Sequence, residues 1–174
     1  MRGFGSIILA AGIFLSGGTV MLLADWPGYR GGGQRRAFAP TSFPERFIRQ
    51  WQFQPSQPPA PAWPEPARKS YWQQLTTIAP RVVDDQAFHP VLARGQVYFG
   101  SSGDDHLYCL SASNGVPKWR FAAEGPIRFA PFLVGDRAFF GSDDGYFYCL
   151  DAGSGALMWR RRLGSEERWM IGNG

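Results

Sequence analysis

Cys109 and Cys149 stand 40 positions apart, each followed by leucine, a short polar turn and a glycine, Gly115 and Gly155. Two cysteines invite a disulfide, which needs an oxidising compartment and Cα atoms within about 7 Å. Both occupy the same place in two copies of one pattern, and equivalent places in successive units lie too far apart for that bond. They read instead as two buried free thiols, since a small buried cysteine packs like a hydrophobe. A second group comprises Asp104, Asp105 and His106, echoed by Asp143 and Asp144. Carboxylates in a tight turn are hard-cation ligands. The second set has no histidine and too few ligands, however, so solvated hairpin turns are the simpler reading. Gly31-Gly32-Gly33 hints at a phosphate cradle. No strand precedes it and no Lys-Ser/Thr follows, so it reads as a flexible loop.

What positions these residues is a stretch written twice. Val97-Tyr98-Phe99-Gly100 through Cys109-Leu110 runs on to Trp119, and Ala138-Phe139-Phe140-Gly141 through Cys149-Leu150 runs on to Trp159. Gly100 and Gly141 are 41 positions apart, and the first copy carries one extra residue in its Ser101–Asp105 turn. Short apolar runs at this period, separated by Gly/Asp/Ser turns, predict the blades of a β-propeller. In the second copy the expected strands are 129–134, 137–141, 146–150 and 156–161. Tyr146-Phe147-Tyr148-Cys149-Leu150 is apolar almost throughout, as a strand covered on both faces would be. Phe88-His89-Pro90 matches Phe129-Ala130-Pro131 and is expected to mark each blade's innermost strand. His89 would then face the axis, where a ligand contact competes with an ordinary structural role.

The turn after each third strand resembles the tryptophan-docking motif of the PQQ-like (pyrroloquinoline quinone) propeller repeats. This family includes quinoprotein dehydrogenases and BamB-like outer-membrane assembly propellers. The motif reads Ala-x-Asp-x-x-Thr-Gly-Lys-x-x-Trp. Cys149, Asp151, Ser154, Gly155 and Trp159 stand at its places in the second copy, and Cys109, Ser111, Asn114, Gly115 and Trp119 in the first. The resemblance covers roughly residues 88–161. It implies an all-β, incomplete propeller of four-stranded antiparallel blades, with Trp119 and Trp159 lying flat against glycine peptides of neighbouring blades. The structural docking set is thus Trp119, Trp159, Gly115, Gly155, Cys109, Cys149 and Asp151. With Ser111 replacing the aspartate, the first turn is expected to be less tightly hydrogen-bonded.

The net charge is +4, and the cations are mostly arginines spread along the chain, with no basic block interleaved with aromatics; this argues against a nucleic-acid partner. Segment 1–24 has one cation, Arg2, and then an apolar run ending at Ala24. It reads as an apolar helix that is either a cleaved secretory signal or a single-span anchor. Segment 25–54 opens with Asp25-Trp26-Pro27-Gly28-Tyr29-Arg30, which resembles the mature start of exported members of the family. It also contains Phe47–Phe53, expected as a strand at the ring's seam. Segment 55–87 holds Pro55, Pro58, Pro59, Pro61, Pro64 and Pro66 and predicts a stiff, extended surface linker followed by a divergent connection. Blades are expected over 88–128 and 129–169, with 170–174 starting another. Two blades cannot close a ring, so the expected partners are further blades of the same propeller or other proteins. Arg160-Arg161-Arg162 reads as the start of a solvated connection.

Two functions follow as expectations. One is an exported, periplasmic or cell-envelope scaffold that binds proteins and needs no cofactor. The other is the N-terminal part of a PQQ-dependent quinoprotein oxidoreductase with PQQ and calcium. Quinoproteins of this fold carry adjacent cysteines and a calcium-binding carboxylate and amide. This sequence has no adjacent cysteine pair, so no catalytic or cofactor-binding residue is assigned.

Overall fold

The structure is a computed structural model, and it describes residues 25–38, 46–60 and 87–163. Eight strands follow in order: β1 Val91–Ala93, β2 Gln96–Gly100, β3 His106–Ser111, β4 Pro117–Ala122, β5 Phe132–Val134, β6 Arg137–Gly141, β7 Tyr146–Asp151 and β8 Leu157–Arg162. They form two four-stranded meanders, β1-β2-β3-β4 and β5-β6-β7-β8, antiparallel throughout. The registers repeat between sheets, down to a bulge after Cys109 in one and after Cys149 in the other. The first strands begin just after the Phe-x-Pro tripeptides, which lead into the strands rather than belonging to them. Proline has no N–H to give to a ladder, so pairing starts at the next residue.

Stacking of the sheets explains the nearly continuous apolar strands. One face of the first sheet places Val91, Ala93, Tyr98 and Cys109 against Leu133, Ala138 and Ala152 of the second. Farther out, Leu107 meets Ile127, Phe140, Tyr148 and Leu150. The other face of the first sheet, with Val97, Phe99, Tyr108, Leu110 and Ala112, is covered by Trp51, Phe53 and Phe88. Residues of both alternations are therefore buried in β2 and β3, and an apolar/polar stripe cannot appear there. Gly100 sits where a Cβ would fall 2.2 Å from Ile127 Cγ2, so the connection after β4 can cross close to the sheet.

Two segments outside the repeats hold the sheets together. Trp26 exchanges backbone hydrogen bonds with Leu92, and Leu133 N–H donates to the Pro27 carbonyl at 2.8 Å. Asp25 accepts from the Arg94 amide at 2.9 Å. Residues 25–27 thus bridge the inner strands of both sheets, and Gly28 lies directly under the Phe132 ring. Part of the proline-rich stretch is seated rather than free: Ala60 N–H donates to Ser102 Oγ, and the Ala60 carbonyl accepts from Arg128. Arg128 also pairs with Asp143 at 2.6 Å. Residues 47–53, expected as a strand, show only a single bridge at Phe53. The expected apolar helix at 1–24, the prolines beyond Ala60 and the expected further blade at 170–174 lie outside the described residues.

Candidate functional site: tryptophan seats between sheets

Each β3-type strand ends in a five-residue turn. Gly115 and Gly155 there have φ of 71° and 75°, a left-handed backbone that side chains disfavour. Their amides donate to Ser111 and Asp151 carbonyls at 2.8 Å, closing the two turns identically. In the second turn Asp151 Oδ1 also accepts from the Ser154 amide and hydroxyl, at 2.8 and 2.7 Å. The Ser154 hydroxyl bond above all holds the Asp151 carboxyl below the usual aspartate range. In the first turn Ser111 reaches only the Ser113 hydroxyl, and Asn114 Oδ1 accepts from Val116.

The glycines open a flat seat for an indole. A Cβ on Gly155 would fall 2.6 Å from Trp119 Cδ2, and Trp119 Nε1–H donates to the Ala152 carbonyl at 3.1 Å. A Cβ on Gly115 would fall 2.5 Å from Trp51 Cε3, and Trp51 Nε1–H donates to the Ala112 carbonyl at 2.8 Å. The ring two residues on is placed alike. Phe53 lies 5.6 Å from both Phe99 and Tyr108, as Phe121 lies 6.1 Å from Phe140 and 5.6 Å from Tyr148. Trp51 was missed by the sequence reading. Its signal is Trp51-Gln52-Phe53, which repeats Trp119-Arg120-Phe121 outside the 40-residue register. Trp159 differs: it touches Phe139 and Phe147 of its own sheet and is 41% exposed, with no facing sheet among the described residues.

Cys109 and Cys149 are free, buried thiols in separate sheets. Cys109 donates to Gln96 Oε1 at 3.0 Å, and burial pushes its pKa up to about 11. Burial also raises the Cys149 thiol. Both are held neutral and poorly nucleophilic. The turn aspartates are used internally: Asp104 accepts from Tyr108, and Asp144 accepts from Tyr148 at 2.5 Å and from the Tyr146 and Glu124 amides. Burial, with these bonds, raises both phenols to about 12. Among the described residues no three of His, Cys, Asp and Glu gather to hold a metal ion. His89 is exposed. A groove of about 410 Å³ separates Phe53 and Ser56 from β4, with Tyr108 and Trp119 in its wall and the exposed cations Lys118 and Arg120 beside them. The arrangement works by seating rings on backbone.

Repeated four-stranded sheets, stacked through an indole on a left-handed glycine, define a β-propeller built from PQQ-type repeats. Residues 49–171 match the family model described as outer membrane protein assembly factor BamB, and the chain belongs to that family. Two solved structures are similar. The crystal structure of BamB from Moraxella catarrhalis shares 22% identity over 47% of this chain, with a TM-score of 0.37. A europium-containing methanol dehydrogenase shares 18% identity over 67% of this chain, with a TM-score of 0.47. The matches span 23% and 19% of those longer chains. No curated protein matches. Among the described residues no helix is long and apolar enough to cross a membrane.

Proposed function

We propose that this protein is an exported, non-catalytic propeller that works in the cell envelope as a scaffold for other proteins. The family match over residues 49–171 carries this reading, because that family takes its name from an outer-membrane assembly factor. The chemistry of the described side chains supports it. The thiols are buried and neutral, Asp104 and Asp144 accept from tyrosine hydroxyls, Asp143 pairs with Arg128, and Trp119 serves packing. Segment 1–24 acts as the export signal, and Asp25, whose carboxylate caps the β1–β2 turn, begins the mature chain.

Cell fractionation with N-terminal sequencing tests export and cleavage: an envelope protein beginning at Asp25 supports the reading, and a cytoplasmic one refutes it. Deleting the gene tests the role. The expected outcome is a changed content of outer-membrane proteins, recovered by the wild-type chain. Saturable PQQ binding with calcium-dependent alcohol oxidation by the protein would replace the scaffold reading with the quinoprotein one.

A further inference from the structure

The two sheets allow a comparison inside one molecule. On the second, Arg160 pairs in register with Tyr148 and holds Glu124 across the gap at 2.6 Å. Glu124 stands three residues after Phe121, whose ring lies on Phe140 and Tyr148. The gap in front of the first sheet is built from the same pieces. Arg120 pairs in register with Tyr108, and the Phe53 ring lies on Phe99 and Tyr108. The residue three places after Phe53 is Ser56. Serine leaves Arg120 without the carboxylate that its counterpart has.

The charge difference goes further. Lys118 stands where β8 has Met158, so the first gap carries one cation more and one acid fewer than the second. Among the described residues no acid pairs with Lys118 or Arg120. Two residues apart on one strand, both project to the same face, and both are exposed. The space that Glu124 fills in the second gap is open in the first. It is the groove of about 410 Å³ between Phe53, Ser56 and β4, with Tyr108, Pro117 and Trp119 in its wall. Apolar walls displace water from an entering ion and strengthen its hydrogen bonds to the cations.

We infer that this groove binds a carboxylate side chain from an acidic, extended segment of a partner protein, which takes on Arg120 the place that Glu124 takes on Arg160. Lys118 supplies the second contact. A second copy of this chain is a poor source, since its net charge is +4 and its Glu124 is already held by Arg160. The inference deepens the scaffold reading and rests on it for the occupant being a protein; the preference of the groove for a carboxylate does not.

The probe is a fluorescein-labelled peptide of alternating glutamate and alanine, with its glutamine counterpart as control and polarisation as readout. The expected result is saturable binding of the glutamate peptide, about tenfold or more tighter than the control and weakening as salt rises. Arg120→Gln should weaken it about tenfold. Arg160→Gln removes the same charge one sheet away and should leave the affinity unchanged. Ser56→Glu places the missing carboxylate in the chain itself and should abolish binding, with an unaltered far-UV circular dichroism spectrum. Equal loss in Arg120→Gln and Arg160→Gln reduces the effect to net charge and overturns the groove, as does undiminished binding by the Ser56→Glu protein. Failure of the wild-type protein to bind either peptide overturns it too. Binding that appears only after Asp84→Asn and Asp85→Asn assigns the groove to acids of this chain and overturns the partner. Failure of the scaffold reading would show instead in the fractionation and deletion experiments, leaving these affinities untouched.

Discussion

Trp119 and Gly155 should be energetically coupled, and the size of that coupling can be worked from the contact between them. Trp119→Ala removes a half-buried indole packed against both inter-sheet clusters. Complete truncation of a core tryptophan costs about 3–5 kcal/mol, and partial exposure brings the expectation to about 2–4 kcal/mol. The lost hydrogen bond contributes about 1 kcal/mol of this. Ala152 O is not orphaned, because the Tyr98 hydroxyl remains 3.1 Å away. Gly155→Ala puts a methyl 2.6 Å from the indole and an L-residue at φ 75°. The left-handed backbone costs about 1–2 kcal/mol and overpacking about 1–3 kcal/mol. With Trp119 removed, only the backbone cost remains, so the double variant should be more stable than the sum of singles by about 1–3 kcal/mol. Urea unfolding of the four proteins, monitored by far-UV circular dichroism with slopes compared, measures the cycle. Additivity within about 0.5 kcal/mol would refute the seat as an energetic unit.

The same geometry predicts that Trp51→Ala costs about 2–4 kcal/mol by urea unfolding, whereas Trp159→Ala in this chain costs less than about 1 kcal/mol, since nothing described covers it. Gly100→Ala, with its Cβ 2.9 Å from the Ile127 backbone oxygen as well as the side chain, should lose about 1–3 kcal/mol in the same assay. Asp151 has a lowered carboxyl pKa, so its contribution is present above the usual aspartate value and lost as pH falls through the lowered one. Ser154→Ala should therefore destabilise at neutral pH, lose that effect once acid protonates the carboxyl, and raise the Asp151 midpoint read by carboxyl NMR. Cys109 has a raised pKa, so its contribution holds below the free-thiol value and declines as pH climbs towards about 11. Ellman's reagent at pH 8 should find no reactive thiol in the native protein and two after unfolding; fast native reaction would show that the inter-sheet core is open.

The sequence alone carried the four-stranded antiparallel character of the repeats and most strand limits of the second copy. Gly/Asp turns and aromatic runs are local signals, and the 40-residue period multiplies them. Gly115, Gly155 and Trp119 stand out in the sequence because a motif repeated in register is legible without knowing what it touches. The resemblance already placed the indoles on glycines of neighbouring blades, and the tertiary structure supplied the pairs: Trp119 sits on Gly155 of the next sheet, and Gly115 takes Trp51. It likewise revealed Trp51, whose segment lacks the turn residues that announce a blade, and the bridging by Asp25-Trp26-Pro27, which is backbone hydrogen bonding and leaves no side-chain pattern. The different fates of Trp119 and Trp159 were invisible in the sequence for the same reason: the two residues are equivalent in pattern, and burial is a property of the neighbouring sheet.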